Sequence, residues 1–198
     1  MAAAFEYFLN MLPYMLISLP FILLWRYMRV NRLSKHNLVS PRSREILMVI
    51  FTMFLVGLIS QTVLSEITLT ESGFSIVHRP GGGGLNLKLF DVFRLVKIET
   101  FERGKISFFL INIVGNIVVF MPLGFFSCLL WKKPSVWKAL LYGMMTSLVI
   151  ELAQYPLERG TDIDDLWLNT LGALLGWVVY IAIRNRIDTQ KYRIKDQR

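Results

Sequence analysis

The sequence predicts an all-α membrane protein, a bundle of about five transmembrane helices with one long extracytoplasmic loop. Three observations lead there. Apolar residues make up 54% of the 198 positions, and the mean hydropathy is +0.49. The apolarity is also gathered into uncharged stretches that match a hydrocarbon core about 30 Å thick, which a helix of about 20 residues crosses. A soluble domain of this composition would lack the polar surface it needs. No shift in composition divides the chain, which reads as a single membrane domain, 1–198.

Taken in order, residues 7–25, 46–65 and 106–131 are uncharged and span without burying a charge. The first of these is a retained helix and not a signal peptide, because Arg26, Arg29, Arg32 and Lys35 follow the apolar run instead of preceding it and no small-residue cleavage site is apparent. Residues 139–157 span only by carrying Glu151 into the membrane or its boundary, and residues 166–183 are again uncharged.

Charge sets the orientation. The segments 26–44, 132–138 and the tail from 184 hold fifteen Lys and Arg, against seven in the N-terminus, the 66–105 loop and the 156–165 loop. The positive-inside rule then puts the N-terminus outside and the C-terminus in the cytoplasm. The formal charge of +8 is explained by basic residues beside helix ends and anionic lipid, so membrane lipid is an expected partner and nucleic acid is not. Cys128 is the only cysteine and lies in an apolar run, where it reads as a small core residue. His36 and His78 fall in opposite loops, and no His/Cys spacing of a metal site is present, so no metal or cofactor is expected. In the 66–105 loop the glycines 81–84 read as a flexible linker, since no phosphate-loop pattern surrounds them. The segment 85–96, with Phe90, Phe93 and Leu95, reads as an amphipathic stretch lying in the membrane interface.

Within the spans the polar residues form stripes. Asn112 and Asn116, four apart, share a helical face. Ser147, Glu151, Gln154 and Tyr155 form a second stripe, and a charged Glu151 at mid-membrane would cost about 2.5–3.5 kcal/mol, so it is expected near the boundary, paired or protonated. Thr161 and Asp164 have capping-box spacing before the last span. Asp162, Asp165, Asn169 and Ala173 continue along one face, while Gly172 and Gly176 make a close-packing GxxxG on a neighbouring one. With a rise of about 1.5 Å per residue, Asn112 and Glu151 lie about 9 Å and Asn169 about 5 Å below the outer boundary, with Asn116 deeper at about 15 Å. The predicted site is therefore Asn112, Asn116, Glu151, Gln154, Asp162, Asp165 and Asn169 on the outer side, with Arg159 as counter-ion. Glu151 and Asp165 are the candidates for any catalytic role.

These residues resemble the VanZ-like family of bacterial membrane proteins over 86–177. The resemblance lies in Asn112-Ile-Val-Gly-Asn116-Ile-Val-Val-Phe120-Met-Pro122-Leu-Gly124, Glu151-Leu-Ala-Gln154, Arg159, Asp162-Ile-Asp-Asp165 and Asn169-Thr-Leu-Gly172-Ala-Leu-Leu-Gly176. Leu85 to Phe90 resembles the family's upstream segment, which typically has proline where this chain has Leu89 or Lys88. The resemblance implies a bacterial cytoplasmic-membrane protein associated with resistance to glycopeptide antibiotics, notably teicoplanin and related lipoglycopeptides.

Three functions and a structural alternative fit the residues. The first is a cell-envelope protein that binds or modifies a lipid-linked or lipid-tailed molecule at the outer leaflet, its partner being an envelope precursor or the lipoglycopeptide itself. Polar groups within apolar walls suit such an amphiphile. The second is an intramembrane enzyme acting on a lipid-linked cell-wall precursor, with Glu151 or Asp165 as general base or as holder of a divalent cation and Arg159 stabilising a developing anion. The third is a small ion-coupled transporter, which the lack of an even inverted repeat disfavours. In the structural alternative the polar groups only tie the helices together.

Overall fold

Five helices in the computed structural model are long and apolar enough to cross a membrane: Leu9–Lys35, Arg42–Thr62, Ile106–Leu130, Val136–Gln154 and Ile163–Ile183. The structure describes residues 2–63, 66–70, 73–77, 84–130, 135–157, 160–184 and 193–194. The chain is a multi-pass all-α membrane protein, and every expected span has its helix. The chain divides into two compact units, 1–79 with 184–198, and 80–183.

The first unit holds α1 (Ala2–Lys35), β1 (Leu38–Val39), α2 (Arg42–Thr62) and a hairpin of β2 (Glu66–Thr70) and β3 (Gly73–Val77), paired antiparallel from Glu66 opposite Val77 to Thr70 opposite Gly73. Leu16, Ile17, Phe21 and Leu24 of α1 are exposed, as lipid-facing side chains are. The α1–α2 hairpin is pinned near its turn by Glu45, which is 2% exposed and accepts a hydrogen bond from Arg29 at 2.5 Å with Arg26 at 3.8 Å. Bringing both arginines to one carboxylate offsets the cost of burying it.

The second unit starts at β4 (Leu85–Asn86), runs through the short helix α3 (Asp91–Val96) and a π-helical turn (Lys97–Glu102), and then enters the membrane spans. The 66–105 segment read as a loop therefore carries a hairpin, a strand, a helix and a π turn. Val92 and Val96 of α3 are buried while Phe90 and Phe93 are exposed, the two-faced pattern expected of 85–96. The glycines 81–83 and His78 lie outside the described residues.

The third span is built from α4 (Ile106–Phe109), a π turn (Leu110–Gly115) and α5 (Asn116–Leu130). Next come α6 (Val136–Gln154), a 3₁₀ turn (Tyr155–Leu157), β5 (Thr161–Asp162) and α7 (Ile163–Ile183), and β6 (Arg193–Ile194) of the first unit pairs with β1. Helix α7 packs on both α5 and α6. Its contact with α5 is backbone to backbone: a Cβ on Gly124 would meet the Ala173 carbonyl oxygen at 1.8 Å, one on Gly176 the Met121 oxygen at 1.9 Å, and one on Gly172 the Ile117 oxygen at 2.2 Å. The GxxxG read from sequence is thus half of a glycine seam whose other half is Gly124 on α5. In lipid, where apolar side chains gain little by leaving the solvent, such close approach is what drives helices together. Cys128 is buried in α5.

Candidate functional site

Helix α7 begins at Ile163, before the uncharged run of 166–183, so Asp164 and Asp165 fall in its first turn. Parallel pairing of β5 with β4, Leu85 opposite Thr161 and Asn86 opposite Asp162, holds Thr161 in a strand. The capping box expected of Thr161 and Asp164 therefore does not form. Asp162 caps the helix instead, its Oδ1 accepting from the Asp164 N–H at 2.9 Å, while the Thr161 hydroxyl donates to the Glu151 carbonyl at 3.4 Å. The second oxygen of Asp162 accepts from Asn86 Nδ2 at 2.9 Å, a side-chain tie across the same two-strand pair.

The buried carboxylate of Asp164, 1% exposed, takes three donors. The Phe90 N–H reaches Oδ1 at 2.6 Å and the Val92 N–H reaches Oδ2 at 2.8 Å. Trp167 Nε1 reaches Oδ1 at 2.8 Å. Asp164 thus satisfies the open N-terminus of α3. Phe90 adopts φ +65° there, a left-handed conformation that costs a bulky residue about 1–3 kcal/mol. Its ring lies edge-on to Trp167 with centroids 5.6 Å apart, and Phe93 lies 5.8 Å from the same indole. Outside this anchor the Arg94 guanidinium, hydrogen-bonded to Asp91 at 2.7 Å, holds the Asp91 carboxyl below the usual carboxylate range.

Between the 84–96 segment, α4, the π turn that follows it and the start of α7 lies a cleft of about 340 Å³. Asn86, Asn112, Thr161, Asp162, Asp164 and Asp165 supply its polar lining, and Val92, Leu95 and Phe108 supply apolar wall. Asn112 sits in the π turn, a feature that often marks functional sites, and its amide donates to the Phe108 carbonyl at 2.8 Å.

Behind the lining stands a second row. Asn116 Nδ2 donates to Asp165 Oδ1 at 2.5 Å and to the Asn112 carbonyl at 3.1 Å. Glu151, 6% exposed, accepts the Asp162 N–H at 3.0 Å. Asn169, 5% exposed, donates through Nδ2 to Ser147 Oγ at 2.9 Å. Of the residues read from sequence, Asn112, Asp162 and Asp165 line the cleft, and Asn116 and Glu151 bond residues that do. Asn169 bonds Ser147 deeper between α6 and α7. Gln154 is half-buried at the end of α6 and is not part of the lining. Arg159 lies outside the described residues.

Three polar lining residues escaped the sequence reading, Asn86, Thr161 and Asp164, of which Thr161 was read only as a helix cap. Asp164 had an adequate explanation as a helix-start acid, and the tryptophan three residues on was the one local sign of a larger role. Asn86 lies 76 positions from its partner, so no local spacing exposes it. Among the described residues no three His, Cys, Asp or Glu side chains are placed to hold one metal ion.

The VanZ/LLP1 family model matches residues 45–184, from the first turn of α2 to the end of α7. No curated protein and no solved structure matches the chain.

Proposed function

The chain belongs to the VanZ/LLP1 family, and we propose that it binds or modifies a lipid-linked or lipid-tailed molecule at the outer leaflet of a bacterial cytoplasmic membrane, so lowering susceptibility to lipoglycopeptides such as teicoplanin. The single observation that carries this reading is the cleft of about 340 Å³ whose lining combines carboxyl and amide side chains with the apolar Val92, Leu95 and Phe108. An amphiphile matches that mixed lining, with its headgroup on the carboxyl and amide side chains and its tail on the apolar residues. The exposed rings of Phe90 and Phe93 beside Trp167 support a cleft mouth at headgroup depth, where aromatic residues concentrate. The excess of Lys and Arg on the opposite loops supports an outward-facing cleft, with the N-terminus outside and the C-terminus in the cytoplasm.

Glu151 acts in this reading as a positioning residue. Its carboxylate holds the Asp162 N–H, and through it the strand pair that carries Asn86 and Asp162. Binding without chemistry is the simpler reading, because Asp164 is fully engaged by the protein's own donors and Glu151 is held by the Asp162 N–H.

The test is teicoplanin susceptibility in a strain that depends on the protein. Deletion, Asp165→Ala, or Glu151→Gln with membrane expression verified, is expected to raise susceptibility. Full resistance in the deletion strain, or in both variants together, overturns the proposal.

A further inference from the structure

The cleft's hydrogen-bond inventory is unbalanced. Asn86, Asn112 and Thr161 each place a donor inside the protein, one N–H of Asn86 on Asp162, one N–H of Asn112 on the Phe108 carbonyl and the Thr161 hydroxyl on the Glu151 carbonyl, so that of these donors only the second N–H of each amide is left for a ligand. Acceptors are left over. Asp165 receives one side-chain donor, Asn116, on Oδ1, whereas a carboxylate has room for about four. Among the described residues neither its Oδ2 nor the side-chain carbonyl of Asn112 meets a donor. Behind the lining, one turn beneath Asp165 on the same face of α7, the buried side-chain carbonyl oxygen of Asn169 meets no donor among the described residues, which is uncommon for a buried polar atom. Three aspartates line the cleft, and no Lys or Arg does among the described residues.

From this surplus we infer that the cleft takes a headgroup rich in hydrogen-bond donors, a primary ammonium or a sugar, and refuses a phosphate-headed lipid. The inference rests on the binding reading above and adds the headgroup class to it. A donor headgroup seated at Asp165 would complete the carboxylate and the Asn112 carbonyl together, and its tail would meet Val92, Leu95 and Phe108 of the same lining. A phosphate brings acceptors to acceptors and a negative charge to three carboxylates in a low-dielectric setting, where like charges repel strongly. Arg159, which precedes the lining residue Gly160 in the chain, is the cation a phosphate would need, and it provides the control.

The experiment uses the full chain in lipid nanodiscs with Cys128→Ser and Leu95→Cys, so that maleimide labelling at 95 reports occupancy of the cleft. Four single-tailed amphiphiles of equal tail length are titrated: dodecylamine, dodecyl glucoside, dodecyltrimethylammonium and dodecyl phosphate. Dodecylamine or dodecyl glucoside is expected to slow labelling at a concentration about tenfold lower than the other two, the size of one hydrogen bond to a charged acceptor. Asp165→Asn is expected to remove most of that difference, and should this variant not fold, Asn112→Ala provides the same test. Dodecyltrimethylammonium matching dodecylamine would show that charge alone is read, and would overturn the donor inference. Protection by dodecyl phosphate at the lowest concentration, abolished by Arg159→Gln, would overturn it while leaving the binding proposal standing. Free labelling in the presence of all four would remove the binding proposal itself.

Discussion

The two halves of helix α7 do opposite things. Its first turn carries Asp164 and Asp165, which accept hydrogen bonds from Phe90, Val92, Trp167 and Asn116. Its second half carries Gly172 and Gly176, where a Cβ would run into the backbone of α5, and Ala173, whose carbonyl faces Gly124 of α5. At Gly172 and Gly176 there is no side chain to rearrange, and this contact cannot yield without separating two helices. In the polar half each side chain has discrete partners that can be removed one at a time. Cohesion thus comes from the glycine seam, and the polar end is free to carry a cleft whose hydrogen bonding is incomplete.

That contrast breaks first at the seam. Gly124→Ala is expected to be the most damaging single change, at or above the roughly 3 kcal/mol upper end of ordinary overpacking, because the new methyl meets a backbone carbonyl at 1.8 Å and not a movable side chain. Unfolding of the purified protein in mixed micelles measures it. A stability equal to the parent would mean that the α5–α7 approach is not as close as described.

At the polar end Asp164→Ala is expected to cost about 2–3 kcal/mol, since it strands two α3 amides that now meet a charged acceptor. The loss should stay local. Hydrogen exchange should speed up at Phe90 and Val92 while Gly172–Gly176 amides remain protected, and equal acceleration at both ends would erase the distinction between the halves.

A milder probe of the seam is Gly143→Ala on α6, where the new Cβ would meet the Ala173 Cβ at 2.6 Å. The expected cost is about 1 kcal/mol. Combining it with Ala173→Gly should give less destabilisation than the sum of the two single changes, since the clashing methyl is gone, although glycine within a helix carries its own cost of about 1 kcal/mol. Additive losses would show that the two positions do not touch.

The smallest effect is expected outside both halves. The Lys105 ammonium, 3.0 Å from Glu99, and the Arg103 guanidinium hold the Glu99 carboxyl below the usual carboxylate range. A depressed folded-state value means that this pairing contributes fully above the unfolded carboxylate range and is lost as pH falls through the lower folded value. The two cations are exposed and screened by solvent, so Glu99→Gln is expected to leave stability nearly unchanged at neutral pH, and less changed still at high salt. A large shift in the unfolding midpoint would place this segment in a more buried setting than the structure gives it.

The spans were legible because length and the absence of charge are properties of a local run, and lipid imposes both on any helix that crosses it. Asn112, Asn116, Asp165 and Asn169 were legible for a related reason, since polar residues at helical spacing in an apolar run stand out without knowledge of their neighbours. What only the tertiary structure decided is which of them meet. The sequence spacing points to Thr161 as the cap of α7, whereas pairing with β4 holds Thr161 in a strand and Asp162 takes the role. Spacing gives no sign that Asn86 bonds Asp162 across 76 positions, or that Asp164 holds the N-terminus of α3. Nor does it separate the cleft lining from the row behind it. Periodicity records the face on which a side chain lies, whereas a cleft depends on how distant elements close on that face, and for α7 this is governed by the backbone approach that its glycines permit.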